Sequence, residues 1–172
     1  MKVYDLDNIA YLEIDINQTI EKIEQLFDLN FNKEKIEVNS KLIVDKKHKW
    51  FSEECQNAFN EKIPYLKSLH KDMYAIIETI LKSKTNNFDK KALENKYENF
   101  REFRLFNNKI KHYKSQEAEI NLTAIVLMES TGNRIDFYCN FKYKDSFNSL
   151  RFSEFIVLFM NLLIDLNIIK IK

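Results

Sequence analysis

Glycine and proline each occur once in this 172-residue chain, and that scarcity sets the first limits on its fold. With only Gly132 and Pro64 to punctuate it, the chain must run in long helices joined by ordered connections. A phosphate-cradling glycine loop is excluded. Cysteine is nearly as rare. Cys55 and Cys139 fall on apparent core faces of a helix and a strand, and no cysteine or histidine cluster has metal-ligand spacing. The expectation is no metal, no cofactor and a reducing, cytoplasmic setting.

Long apolar runs are missing too. No stretch reaches the roughly 18 to 20 apolar residues of a membrane span, and Met1-Lys2-Val3-Tyr4-Asp5 lacks the cationic start and apolar core of a signal peptide. Net charge is +1, so attraction to nucleic acid has to come from local patches. Arginine is scarce, 4 residues against 23 lysines. The excess of Lys, Asn and Ile reads as coding bias, which weakens any inference from a lone lysine.

What the chain does have is aromatic bulk. Fourteen Phe and eight Tyr within 45% hydrophobic content supply one substantial core, and nothing divides residues 1–172 into two domains. Leu12, Ile14 and Ile16 alternate like a strand, but Ile16, Ile20, Ile23, Leu26 and Phe27 continue at helical spacing, predicting a helix from about Asn17 to Leu29 or starting earlier. Residues 31–49 read as a connecting loop with a brief extended piece. The cluster Lys46-Lys47-His48-Lys49 there is a solvated tip or a phosphate contact, the former being commoner for so short a charge run.

Trp50, Phe51 and Ser52 look like a staple and N-cap for a helix reaching about Lys84. Its apolar face includes Ala58, Phe59, Tyr65, Leu66, Leu69, Met73, Ile76, Ile77 and Ile80, and Pro64 should kink or split it. His70 lies beside that face, as a packed histidine or as a second site residue. A turn around Asn86-Asn87 leads into one long helix from Asp89, its N-cap, to Tyr113. From Ile120 to Met128 and from Ile135 to Tyr143 the period changes to two around Gly132, predicting a β-hairpin at about 119–143. Ser153 and Glu154 then open a nearly all-apolar helix to about Asn167, suited to a bundle interior or an interface. Ile168 to Lys172 reads as a short extended tail.

The central helix carries the one chemical hint. Leu93, Tyr97, Phe100, Phe103, Phe106, Ile110 and Tyr113 recur on one face, while Arg101, Arg104, Asn108, Lys111 and His112 make a polar stripe on the other. Arginine grips phosphate with a two-pronged donor set. The helix C-terminus favours the protonated form of His112, which suits it to proton transfer near neutral pH.

The run Asn107-Asn108-Lys109-Ile110-Lys111-His112-Tyr113 resembles the signature of the HEPN domain (higher eukaryotes and prokaryotes nucleotide-binding), in which a late helix carries an arginine and then a histidine. The resemblance implies a mainly α, HEPN-like helical bundle, here with the β-hairpin inserted before the last helix. It implies a toxin or antiphage role, a homodimer, an RNA substrate, and a protein partner such as an antitoxin. It also implies metal-independent endoribonuclease chemistry, with the 2′-hydroxyl attacking the adjacent phosphate. His112 would then transfer the proton, Asn108 would orient substrate or imidazole, and Arg104 or Lys111 would stabilise phosphorane charge. Arg101, Lys109, Lys111 and Lys114 would contact RNA phosphates.

One position departs from the pattern. Asn107 stands where the family carries its arginine, and Arg104, eight residues from His112, lies about 12 Å away along a helix. Either the site is rebuilt from Arg104 and Lys111 across a dimer or cleavage is lost. Three other readings stay open: a non-catalytic protein-interaction module, a nucleic-acid binder without cleavage, and simply the wet face of an amphipathic helix.

Overall fold

The computed structural model describes residues 2–3, 10–27, 53–84, 89–111, 120–129 and 132–170. In chain order the elements are β1 (Lys2–Val3), α1 (Ala10–Phe27), α2 (Glu53–Lys84), α3 (Lys90–Lys96), α4 (Phe100–Lys111), β2 (Ile120–Glu129), β3 (Gly132–Tyr143), β4 (Ser146–Arg151), α5 (Phe152–Asp165) and β5 (Ile169–Lys170). The molecule is mostly helical, with a small three-stranded antiparallel sheet late in the chain. Among the described residues no helix is long and apolar enough to cross a membrane. The Lys46–Lys49 cluster, the cap at Trp50–Ser52, the Asn86-Asn87 turn, His112, Tyr113 and Lys114 lie outside the described residues. So do the side chains of Cys55, Ala58 and Phe59.

The ambiguity near the N-terminus resolves as helix. Leu12, Ile16, Ile20, Ile23 and Phe27 are buried at helical spacing, whereas Ile14 is 53% exposed. A strand would have kept Ile14 on the same face as Leu12 and Ile16. In α2, Pro64 does not split the helix, which runs unbroken for 32 residues. Its ring is exposed, and its missing N–H removes one bond from a ladder long enough to continue. Leu66, Leu69, Met73, Ile76, Ile77 and Ile80 are buried as expected, but Tyr65 is 61% exposed. It lies at the flank of the apolar stripe, one step back from Leu66.

The single helix predicted for 89–113 is two. Asp89 caps α3, its Oδ1 accepting from the backbone N–H of Lys91 (3.0 Å) and Ala92 (3.1 Å). The helix then stops at Tyr97, and Asn99 adopts φ 65, a left-handed conformation that asparagine tolerates better than most residues. The chain restarts as α4, with Phe103 N–H on the Asn99 carbonyl at 2.9 Å. Apolar periodicity does not register this break. Tyr97 is instead held from outside the helix, its hydroxyl donating to Asp165 Oδ2 at 2.8 Å.

The predicted hairpin is present as β2 and β3, paired from Ile120↔Phe141 to Glu129↔Gly132. A third strand, β4, pairs with β3 from Tyr143↔Ser146 to Tyr138↔Arg151. Its turn, Lys144-Asp145, carries no local signal, because it places a lysine at φ 53, where glycine or asparagine is usual in a hairpin. Leu122, Phe137, Cys139, Phe141 and Leu150 form the buried face of this sheet. Phe137 meets Phe27 of α1 edge to face, at a centroid distance of 6.0 Å, and Phe141 meets Phe106 of α4 at 5.4 Å. Helices α1 and α4 therefore pack on this buried face.

Eight of the fourteen residues of α5 are buried, so its apolar character is satisfied largely within the chain. Glu154 Oε2 accepts the backbone N–H of Arg151 at 2.7 Å, and the helix starts at Phe152, ahead of the Ser153-Glu154 pair that marks it in the sequence. Asn167, at φ 57, ends the helix in a left-handed cap. The extended tail is real for Ile169–Lys170, which pairs with Lys2–Val3.

Candidate functional site

The geometry of the polar stripe follows from what α4 buries. Phe100, Phe103, Phe106 and Ile110 are inside, which turns Arg101, Arg104, Asn108 and Lys111 toward the opposite side. These four do share a face. They do not form a free cationic strip.

Arg104 is committed to α3. Its Nε lies 2.9 Å and its Nη2 2.5 Å from Glu94 Oε1, and both side chains are about one-fifth exposed (21% and 22%). The break at Tyr97–Asn99 brings these helices together. The Tyr74 hydroxyl on α2 belongs to the same neighbourhood: burial pushes its pKa up, Glu78 and Glu94 add to that, and Arg104 opposes it. The guanidinium expected to grip phosphate is thus neutralised within the protein.

Arg101 is half exposed and only loosely paired, its Nη1 lying 3.7 Å from Glu102 Oε1. Lys111 is exposed, with Nζ 5.6 Å from the centroid of the Tyr74 ring. Asn108 and Lys109 are half-buried. Arg101 and Lys111 stand ten residues apart, about 15 Å along the helix, with Asn108 between them. Phosphate oxygens can reach such a surface. Among the described residues no histidine lies on this face.

Asn107, where the resemblance would place an arginine, is fully buried, and neither of its amide atoms has a hydrogen-bond partner among the described residues. Position 107 follows Phe106 by one helical step and falls on the core side of α4. An arginine there would have its charge placed in the core.

His70, left open as a site residue, is structural. It is fully buried among Phe103 (4.6 Å between ring centroids), Phe106 (4.8 Å), Phe155 (4.9 Å) and Phe152 (6.3 Å). Among the described residues neither ring nitrogen has a hydrogen-bond partner. Burial lowers its pKa to about 3, so the ring is neutral at physiological pH and cannot serve as the second site histidine.

Asp136 alternates along β3 with the apolar face of Phe137, Cys139 and Phe141, a position that strand parity turns outward. It is buried. Its Oδ1 accepts from the backbone N–H of Phe137 (2.8 Å) and of Ser153 (3.2 Å), and its Oδ2 from Ser153 Oγ at 2.5 Å. A carboxylate on β3 thereby caps the first turn of α5. Burial pushes its pKa up, while the bonds from Ser153 and Phe137 and the charge of Arg151 pull the other way. The available signal was Ser153, a residue that needs a partner at a helix start.

A groove of about 390 Å³ between α1 and α2 is lined in part by Asp15, Thr19, Lys22, Asp72 and Thr79. Lys22 Nζ bridges it to Asp72 Oδ2 at 2.9 Å. Among the described residues no group of three or more His, Cys, Asp or Glu side chains is placed to hold a metal ion. The chain matches no family model, no curated protein and no solved structure.

Proposed function

We propose that this chain is a HEPN-like protein of the toxin or antiphage kind whose α4 face binds RNA and whose cleavage centre is degenerate. The observation that supports this reading is the engagement of Arg104 by Glu94, together with a buried asparagine at position 107. Stabilising a phosphorane requires a preorganised donor aimed at the phosphate, and both candidate positions are turned to other purposes. Arg101, Asn108 and Lys111 keep the capacity to hold a phosphate backbone, which needs charge and donors but no proton transfer. Homodimerisation and silencing by a protein antitoxin belong to the same reading.

A second reading keeps catalysis. The Arg104–Glu94 pair is about one-fifth exposed, so an RNA phosphate could replace Glu94 and draw Arg104 toward a site completed by His112.

The deciding experiment incubates labelled total RNA with purified protein in EDTA, beside His112→Ala and the double variant Arg101→Ala/Lys111→Ala. RNA bound but uncut, with affinity lost in the double variant, supports the degenerate binder. Cleavage by the wild type alone, leaving 2′,3′-cyclic phosphate ends, moves the assignment to a metal-independent endoribonuclease. If no RNA is bound at any salt concentration, α4 is the face of a protein-interaction module.

A further inference from the structure

Helix α3 is held differently from the other helices. None of its seven residues is buried, whereas α1, α2, α4 and α5 each bury an apolar face. Leu93 and, at the C-cap, Tyr97 are half-buried against the core. A helix this short is not stable in isolation, so α3 stays folded through what it touches. Asp89 caps its first turn. To its sides, Glu94 accepts from Arg104 of α4, while Tyr97 and Lys96 reach Asp165 of α5 at 2.8 and 3.7 Å.

These anchors are polar and close to water. Lys96 and Asp165 are both exposed, which leaves that ion pair little weight. The chain beyond α3 is already broken. Tyr97 is extended, at φ -116 and ψ 121, and Asn99 is left-handed, so α3 can swing about residues 97–99 without unwinding α4. Segments with few buried apolar contacts open at the low end of a protein's range of local stabilities.

Beneath α3 lies an anion-binding set that it keeps occupied. Glu94 takes the Nε and Nη2 edge of Arg104 through one oxygen, and a phosphate oxygen engages arginine with the same geometry. Tyr74 of α2 is buried beside this pair, its ring against Phe103 at 5.6 Å between centroids. Its hydroxyl lies in the fields of Glu94 and Arg104. Lys111 Nζ stands 5.6 Å from the same ring. Arg104 and Lys111, two turns apart on one side of α4, thus both reach Tyr74. A guanidinium, a phenol O–H and an ammonium converge, and the carboxylate on the guanidinium comes from α3.

We infer that α3 is a latch: its Glu94 carboxylate holds the place of a phosphate on Arg104, and an RNA phosphate that displaces it gains Arg104, Tyr74 and Lys111 together. This latch rests on the RNA-binding reading of α4 and names its regulation. A lone phosphate merely exchanges one anion on Arg104 for another. An RNA strand brings further phosphates to Arg101 and Lys111 at the same time, and those contacts offset the lost ion pair. The latch therefore favours a strand over a free anion.

The test measures amide hydrogen exchange in α3 and α4 of the full chain, alone, with saturating single-stranded RNA, and with inorganic phosphate at matched phosphate concentration. Wild type is compared with Glu94→Gln, with Glu94→Gln/Arg104→Ala and with Glu98→Gln, which removes the same charge from an exposed residue next to Asn99. Glu94→Gln should speed exchange across α3 about 5- to 30-fold and leave α4 protected. Saturating RNA should speed α3 exchange in the wild type. In RNA anisotropy, Glu94→Gln should bind more tightly, with the salt dependence steepened by about one phosphate contact. Glu98→Gln should not reproduce that gain, and adding Arg104→Ala should remove it. Matched circular dichroism confirms that the variants fold.

The latch is overturned if Glu94→Gln leaves α3 exchange at the wild-type rate, if bound RNA leaves it unchanged or slower, or if Glu98→Gln gives the same gain in affinity. No RNA binding by any of these proteins overturns the RNA reading of α4. The latch then stands only if inorganic phosphate alone speeds α3 exchange, and falls if it does not.

Discussion

Arg104 and Glu94, ten residues apart and on different helices, meet through a single carboxylate oxygen that accepts from both Nε and Nη2. The contact closes α3 onto α4 across the Tyr97–Asn99 break and withdraws the guanidinium from the polar face.

Removing the carboxylate charge should therefore change two properties in opposite directions. Glu94→Gln is expected to lower stability by about 1–2 kcal/mol, a charged hydrogen-bonded pair discounted for its partial exposure. The same variant should raise RNA affinity, because Arg104 becomes available to phosphate. Urea unfolding and an RNA titration across salt concentrations read the two effects. No change in either would mean that the pair does not restrain Arg104.

His70 makes stability depend on pH. Its folded pKa of about 3 lies below the ordinary 6.5, so below pH 6.5 the unfolded chain binds a proton that the folded chain refuses. The contribution is complete above pH 6.5 and is lost as pH falls toward 3, with a limiting slope of about 1.4 kcal/mol per pH unit. His70→Leu removes the titrating ring and its two unpartnered nitrogens. Unfolding midpoints between pH 7.5 and 4.5 should fall more steeply for the wild type than for this variant. Parallel curves would reject the assignment.

Asp136 should show a preference for shape over charge. Its pKa is raised chiefly by burial, so the stability it costs when ionised is relieved as pH falls through its folded pKa. Asp136→Asn keeps an acceptor for the Ser153 and Phe137 N–H groups, whereas Asp136→Ala abandons both. The expected loss for alanine is about 2–3 kcal/mol, clearly larger than for asparagine in thermal unfolding at neutral pH. Equal losses would show that the capping bonds contribute little.

Asn99 tests the helix break. Its φ of 65 costs any residue with a Cβ and costs glycine almost nothing. Asn99→Gly should be neutral or slightly stabilising, and Asn99→Ala should lose about 1 kcal/mol. If alanine were the more stable of the two by chemical denaturation, α3 and α4 would be one continuous helix.

Apolar periodicity by itself determined the helical stretches, the β2–β3 hairpin and the membership of most of the core, because spacing of 3.6 or 2 is a local property of the chain. Gly132 marked one turn and Asp89 one cap for the same reason. The positions where local rules failed were decided by groups distant in sequence. Asn99 breaks a helix whose apolar pattern is continuous, and Tyr97, in that break, is held by Asp165. Strand β4 forms although its turn carries a lysine, because Leu150 completes the buried face of the sheet.

The candidate site divides in the same way. That Arg101, Arg104, Asn108 and Lys111 share a face was legible from their spacing alone. That Arg104 is occupied by Glu94, that Asn107 and His70 point into the phenylalanine core, and that Asp136 caps a helix from a strand were not. Hydrogen bonds and desolvation act between residues that only the folded chain brings together, and no local pattern encodes which partners will meet.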